Sequence, residues 1–581
     1  MNNSRTIETV RSSDLVTFKI LIEGTELSAV HQVKNISVEK EINRIPFAQV
    51  VFLDGEAASQ NFNLSNEDLL VPGKDIEIKA GYHNDEETIF KGIIIKHSIK
   101  IRENNSVLIV ECRDEAVKMT IGRKSNFYYE SKDSDIIEEI IGKYSLENEI
   151  ESTSFINKEM VQYRASDWDF IMTRAQLNGQ ICTVDDGKIK ISKPDLSQAE
   201  IETVAFGSTL LDFDAEMDAR NQFNSITAYG WNPSEQEIID AEANDPGISL
   251  NGNISVSDLA EVINLENLEL KHGGNYNSTQ LQNWSDAKNL FQQLSKTRGR
   301  VKFQGIPTVK PGTMLKLEGV GVRFNGKIFI SSVRHEIVNG NWTVDAEFGM
   351  NPKWFSETYD VSELPAAGII PAVSGLQVGV VSQLESDPDG EDRILVKIPI
   401  IDKDEQGIWT RIATLDAGNN RGSFFLPEIG DEVIVGFVND DPNHAVILGM
   451  LHSSAKPAPL TASDDNHEKG FVTRSELKLI FNDEKKSIII ETPGGKKVTI
   501  DEDAGVIKIE DDNRNIITMG NGGIAMESGK DFSIKATGDC NIEAMNVNVK
   551  ANAQFKAQGN AGAEVSTSAI TVLKGSLVQI N

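Results

Sequence analysis

Asp531-Phe-Ser-Ile-Lys-Ala-Thr-Gly-Asp-Cys-Asn-Ile-Glu-Ala-Met-Asn-Val-Asn-Val-Lys-Ala551 is the stretch that decides the fold. It holds three copies of one pattern: Phe532-x-Ile534-x-Ala536, Cys540-x-Ile542-x-Ala544 and Val547-x-Val549-x-Ala551. The pattern continues through Phe555-x-Ala557, Ala563-x-Val565, Ile570-x-Val572 and Leu577, with successive starts 8, 7, 8, 8, 7 and 7 residues apart. A strand alternates its faces, so each triplet turns one apolar row inward and one row of Ser, Lys, Glu and Asn toward water. A repeat of this length cannot bury its own row.

Two packings can hide such a row. A β-helix of one chain coils through about 20 or more residues per turn, and no such superperiod is present. Three interwound chains form a triangular prism, each chain giving one short strand per face, and a period of seven or eight residues fits that. Disorder does not explain apolar residues that keep period two through triplet after triplet. Residues 471–581 are therefore expected to be a triple-stranded β-helix, a prism-shaped needle built as a homotrimer. Its inward residues are Phe532, Ile534, Cys540, Ile542, Val547, Val549, Phe555, Val565, Ile570 and Val572. The corners are expected at Gly505, Gly538, Gly559, Gly562 and Gly575, where a sharp turn favours positive φ or a missing Cβ. About 14 repeats, each advancing about 4.7 Å, give a shaft on the order of 65 Å.

Working outward, Gly375–His452 offers five strand-like runs in a span that suits a small closed barrel of oligonucleotide/oligosaccharide-binding (OB) type: LQVGVVSQL, RILVKIPI, IWTRIATLD, FFLPEIGDEVIVGFV and HAVILGML. Residues 375–455 are assigned to it, between linkers at 366–374 and 456–470. Residues 1–365 read mainly as β, with alternating runs at Phe18–Ile22, Ile76–Ala80, Val107–Cys112, Lys327–His335 and Trp342–Phe348. Helices are expected at Ser134–Tyr144 with Ser134 as cap, after Ser166 up to Asn178-Gly179, and over Asn283–Gly299. Two small barrels with helical insertions are expected here, so the fold class is mainly β.

The 581 residues carry a formal charge of −31, which excludes a nucleic-acid backbone as partner, since that needs a basic stripe. Cys112, Cys182 and Cys540 form no CxxC, and three cysteines give no disulfide framework, as for a chain made in a reducing compartment. The opening MNNSRTIETVRSSDLVTF lacks the apolar core of a signal peptide, and no run approaches about 18 apolar residues. Assembly in the bacterial cytoplasm, with later delivery by other machinery or lysis, is the expectation.

The run Arg421-Gly-Ser-Phe-Phe-Leu-Pro-Glu-Ile-Gly-Asp-Glu-Val-Ile-Val-Gly-Phe437, followed by Asp440-Asp-Pro-Asn-His-Ala-Val-Ile-Leu-Gly-Met-Leu451, resembles the central barrel of VgrG-type spike proteins of contractile injection systems. Trp409-Thr-Arg-Ile-Ala413 and Arg393-Ile-Leu-Val-Lys-Ile-Pro399 fit the same module, and Tyr163–Gly179 (YRASDWDFIMTRAQLNG) is similar to the baseplate-hub part of that family. The resemblance implies a trimeric hub that caps an inner tube of Hcp-like protein within a baseplate, and a needle that carries effector cargo and punctures the target membrane. It also implies a separate PAAR-type tip protein. Leu577, Val578, Ile580 and Asn581 are then its seat, because no histidine follows His467 to hold a metal at the tip. Ser453–Gly470 is too short for the lysozyme that some phage relatives carry there. The type VI apparatus and an extracellular phage-tail-like particle both fit.

Catalytic chemistry finds no foothold in the spacing. The eight histidines form no HExxH or other ligand pattern, no GxSxG occurs, and Asp387-Pro-Asp-Gly390 lacks the 12-residue calcium pattern. Gly321–Lys327 lacks the hydroxyl of a P-loop and reads as a hairpin turn. No cofactor and no catalytic or metal-binding residue is assigned. A tail fibre or polysaccharide-degrading tailspike is the alternative reading; it needs an aromatic cleft, and only Phe532 and Phe555 are aromatic after residue 482.

Overall fold

The computed structural model describes residues 15–103, 105–402 and 404–580. They divide into two compact units, Met1–Gly375 with Phe437–His444, and Leu376–Gly436 with Ala445–Asn581.

In the first unit the alternating runs do become strands, but they do not form two separate sheets. They make one thirteen-stranded sheet. Its two halves join where Val33–Glu41 pairs antiparallel with Gly326–Val338, in register from Asn35↔Val338 to Glu41↔Ser332. Each half keeps its own core. Ile22, Phe52, Ile78, Phe90 and Leu108 pack in the first, and Val301, Phe303, Leu317, Ile330 and Val344 in the second. Each half thus encloses its own core, and one ladder joins the strands of both halves into a single sheet. Both joining strands bury residues on alternate positions and still leave an edge to be hydrogen-bonded, and each satisfies the other's edge.

Four helices of two or more turns follow: α1 (Asp133–Gly142) and α2 (Asp167–Leu177), which share a separate core with Cys182, Val184, Ile189 and Ile191, α3 (Val256–Ile263), and α4 (Ser278–Leu294), whose Leu281 packs with Ala228 and Ala241. α1 begins one residue before the expected cap. Asp133 already lies in the helix and is buried, accepting bonds from Arg174, Asn178 and Asn157. α4 starts in the asparagine-rich stretch, capped by Asn277, and stops at Leu294, because Thr297–Gln304 is needed as a sheet strand. α3 was not foreseen; Ser255 and Asp258 close a capping box on a short run.

The Tyr163–Gly179 segment shows what its residues do. Ser166 caps α2, its hydroxyl oxygen accepting the Asp169 N–H at 3.0 Å, and Trp168, Phe170, Ile171, Met172 and Ala175 are buried. Asp167 accepts from Tyr144 Oη at 2.6 Å, Lys124 Nζ at 2.7 Å and Gln162 Nε2 at 2.9 Å. Burial pushes this carboxyl up, and the bonds from Gln162, Lys124 and Tyr144 outweigh it, holding the group below the ordinary aspartate range. Arg164 pairs with Glu363, and Arg123 donates at 3.1 Å to the carbonyls of Arg164, Asp360 and Val361, so the segment ties the two-stranded ribbon of Lys124–Lys132 and Ile156–Ala165 to the chain that leaves the unit.

In the second unit, strands Gln377–Gln383, Ile394–Lys397, Ile408–Ile412, Glu432–Phe437 and Ala445–Met450 close a five-stranded barrel around Val381, Ile394, Val396, Val433, Val435 and Ile447. Gly379 has no substitute here: a Cβ would sit 2.5 Å from Val396 Cγ1. The carboxylate of Asp387 takes N–H bonds from Asp389, Glu391 and Arg393 and the guanidinium of Arg393, so it serves a turn. Arg393 holds that carboxyl far below its ordinary value.

Asp167→Ala removes the acceptor of three donors and is expected to destabilise the first unit by about 2–4 kcal/mol at neutral pH. The folded pKa lies below the unfolded one, so the stabilisation is complete above the ordinary carboxylate range and fades as pH falls through it. Melting followed by circular dichroism should show a gap between wild type and variant at pH 7 that narrows at about pH 3.

Candidate assembly surface

The shaft begins earlier than expected, at Glu468 inside the anticipated linker, and its first part is built differently. Seven five-residue strands, Glu468–Val472, Lys478–Asn482, Ser487–Glu491, Lys497–Asp501, Val506–Glu510, Ile516–Gly520 and Gly523–Glu527, pair antiparallel in chain order as one sheet. An interwound prism over 471–527 is therefore corrected: here a single chain supplies consecutive, mutually bonded strands. The reason lies in the connections. The strands begin at 468, 478, 487, 497, 506 and 516, nine or ten residues apart, which leaves four or five residues to reverse direction. The last reversal uses the two residues Asn521-Gly522, a dipeptide suited to a tight hairpin.

Register places every second residue in two rows on one face. One row runs Phe471, Leu479, Ile490, Val498, Ile509, Ile517, Met526. The other runs Lys469, Phe481, Ile488, Ile500, Ile507, Met519, Ile524. All but Lys469 are apolar, and none is buried. An outer row of the opposite face alternates Lys478, Glu491, Lys497 and Glu510 as cross-strand partners, which suits water. At the root of the sheet Phe471 stacks on Phe425 of the barrel loop at 5.5 Å, and Arg474 pairs with Glu428 at 2.8 Å.

Beyond Glu527 no described residue lies in a strand. Phe532, Ile534, Ile542, Val547, Val549, Phe555, Val565, Ile570 and Val572 are each more than half exposed, Cys540 is exposed, and so are Leu577, Val578 and Ile580. The chain alone brings none of these residues together; Asn581 lies outside the described residues. Of the five expected corner glycines only Gly505 has positive φ, +62°, and it sits in a hairpin of the seven-stranded sheet. Sequence reading missed that sheet as a separate element, although its nine-to-ten residue spacing is written in the chain.

Elsewhere, Gly321 and Lys327 lie in and beside the Met314–Glu318 to Gly326–Val338 hairpin, as expected. His335 is buried, and desolvation, with Lys40 and Lys310 adding to it, lowers its pKa to about 3. Burial pushes the thiols of Cys112 and Cys182 well above their ordinary value. Among the described residues no three His, Cys, Asp or Glu side chains gather as a metal site, and no helix is long and apolar enough to cross a membrane.

Residues 12–339 match the family profile described as the Alg8 N-terminal domain, more than half of the chain. The chain belongs to that family. Residues 377–452, the closed barrel, match the type VI secretion system/phage-baseplate injector OB domain. The chain is also related to VgrG spike proteins. It is 23% identical over 203 residues to the type VI secretion system spike protein VgrG1a of Pseudomonas aeruginosa, covering 32% of this chain and 31% of that one. To VgrG3 of Vibrio cholerae serotype O1 it is 36% identical over 73 residues, 13% of this chain and 7% of the relative. The chain thus spans less than a third of the length of these relatives. Among solved structures, the tail protein from Neisseria meningitidis MC58 is similar at a TM-score of 0.44 and 13% identity, covering 58% of this chain and 98% of that one. The half-lidded Francisella PdpA-VgrG complex is similar at 0.38 and 10%, covering 90% and 89%.

Thr499 and Lys508 are register partners in the sheet. The double variant Thr499→Cys/Lys508→Cys, in a Cys540→Ser background, is expected to form its disulfide within one chain. Non-reducing gels should then show monomer mobility, and a linked dimer would contradict the in-chain pairing.

Proposed function

We propose that this chain is the spike of a contractile injection machine. It works as a homotrimer. Its hub end caps an Hcp-like inner tube among baseplate proteins and nucleates tube assembly, and its shaft is driven outward by sheath contraction to puncture the target envelope. A PAAR-type protein on Leu577, Val578, Ile580 and Asn581 sharpens the tip, and effector cargo rides with it. The chain acts by stiffness and a small contact area, without catalysis. It is made in the cytoplasm and leaves with the particle.

One observation carries this reading: an injector-type OB barrel runs directly into a sheet with thirteen apolar side chains on one face, followed by some fifty residues of apolar alternation, and the chain buries neither that face nor that alternation. Three copies fit that surface. A five-residue strand is about 17 Å long, and the sides of a triangle with 17 Å edges lie about 5 Å from its centre. That is half the roughly 10 Å at which sheets pack face to face, so three such faces close on one another without a void.

Light scattering of the purified full chain is expected to give three times the 63.9 kDa of one copy. A monomer would end the proposal. Deleting residues 577–581 is expected to abolish pull-down of a PAAR-type tip protein while leaving the trimer intact; retained capture would move the cap seat elsewhere.

A further inference from the structure

Arg113 ends the strand Asn105–Arg113, and its register partner is Phe47, the first residue of the strand Phe47–Leu53. The pairing lays its guanidinium over the Phe47 ring, 4.5 Å from the centroid, and Nη1 donates to the Ile45 carbonyl at 3.3 Å. Among the described residues it has no carboxylate partner. Arg44 lies in the turn before Phe47, where Asn43 takes φ +61°, and its Nη1 donates to Glu41 Oε2 at 2.9 Å. Both arginines line one cavity of about 290 Å³ within the first unit, and Trp168 of α2, Phe355 and Tyr359 form its aromatic walls. The Tyr359 ring packs 4.6 Å from that of Phe355, and its hydroxyl has no hydrogen-bond partner among the described residues.

This cavity runs against the net charge of −31. Glu41 matches Arg44, and Asp169 on the lining already accepts the Ser166 hydroxyl at 2.6 Å, which leaves the charge of Arg113 unmatched. Burial, with the charge of Arg44 adding to it, pulls the Arg113 guanidinium below its ordinary pKa. Burial raises the Tyr359 phenol, so its hydroxyl keeps its proton and can donate. A guanidinium is a planar fork that fits the two oxygens of a carboxylate. The volume lies just below the usual range of ligand pockets, which starts at about 300 Å³, and admits one residue-sized group. A polyanion is disfavoured, because the neighbouring cavity of about 630 Å³ shares Asn43, Phe355 and Tyr359 and presents the carboxylates of Glu41 and Glu347. We propose that the smaller cavity binds a single carboxylate carried on an apolar body of about one residue's size. Arg113 and Arg44 take its oxygens, the Tyr359 hydroxyl donates to one of them, and Trp168 and Phe355 flank the body. Occupancy fastens Phe355 and Tyr359, on the chain that leaves the first unit, to the Arg44 turn and the start of α2. A free acid and the side chain of an acidic residue both supply this chemistry.

Isothermal titration calorimetry on the full-length chain compares two carboxylates with their neutral amides: hydrocinnamate with hydrocinnamamide, and acetyl-Phe-Glu-amide with acetyl-Phe-Gln-amide. At least one acid is expected to bind at one site per chain, about tenfold or more tighter than its amide. The pair that shows this preference tells a free acid from a peptide side chain as the source. Arg113→Gln keeps a donor for the Ile45 carbonyl but removes the charge, and should weaken binding about tenfold or more. Tyr359→Phe should weaken it about tenfold. Arg298→Gln, in the neighbouring cavity, should leave it unchanged, and melting by circular dichroism checks that each variant folds. Equal affinity for acid and amide in both pairs, no binding of either acid, or an Arg113→Gln chain that folds and binds as the wild type does overturns the site. If Arg113→Gln does not fold, Tyr359→Phe and the acid-to-amide ratio of the wild type decide in its place.

Discussion

A sheet one layer thick with one apolar face cannot stand alone in water, and the rest of this protein is arranged around that constraint. Strands satisfy backbone hydrogen bonds along the layer, but they do nothing for the side chains that point out of it. Here thirteen apolar side chains point one way over seven strands. Any folded solution must bring another apolar surface to them. A second layer from the same chain is the usual remedy, and in the first unit Phe52, Phe90 and Phe303 are fully enclosed. The seven-stranded sheet leaves its layer open.

The first unit shows the contrasting arrangement. Each half of its long sheet encloses a core, and some of its charged groups hold segments together. Lys40 is buried and pairs with Asp185 at 2.5 Å and Asp186 at 3.0 Å, while Lys310 reaches the other oxygen of Asp185 at 2.6 Å. That cluster pins the turn after Ile181–Asp185 onto the strand Val33–Glu41 and onto the loop before Met314–Glu318 that carries Lys310. The Tyr163–Gly179 segment does similar work through Asp167 and Arg164. Neither cluster resembles a site that waits for a substrate. Their partners are already present, and the groups that remain perturbed, such as His335, are perturbed by burial alongside like charge.

The net charge of −31 sits well with this division. Like-charged chains repel one another at long range, so any contact between copies must rest on short-range burial, and the apolar face is exposed surface of that kind. Lys469, the single charged residue in the two rows, lies at the root, where it pairs with Asp483 of the first hairpin.

Much of this was legible in the chain. Period-two alternation and the turn residues between runs are local properties, and they identified the barrel strands, the β character of the hub and the uncovered row from Phe532 onward. Ser166 and Asn178-Gly179 marked both ends of α2 for the same reason: a cap is made within a few residues of itself. What no local pattern specifies is which strand lies beside which. The joining of Val33–Glu41 to Gly326–Val338 links segments some three hundred residues apart, and only the packed structure decided that these two strands would lie side by side. The change at Ser528, from paired strands to residues that lie in no strand, stands between these cases: alternation reads the same on both sides, because side-chain facing is local while the partner depends on where the chain goes next.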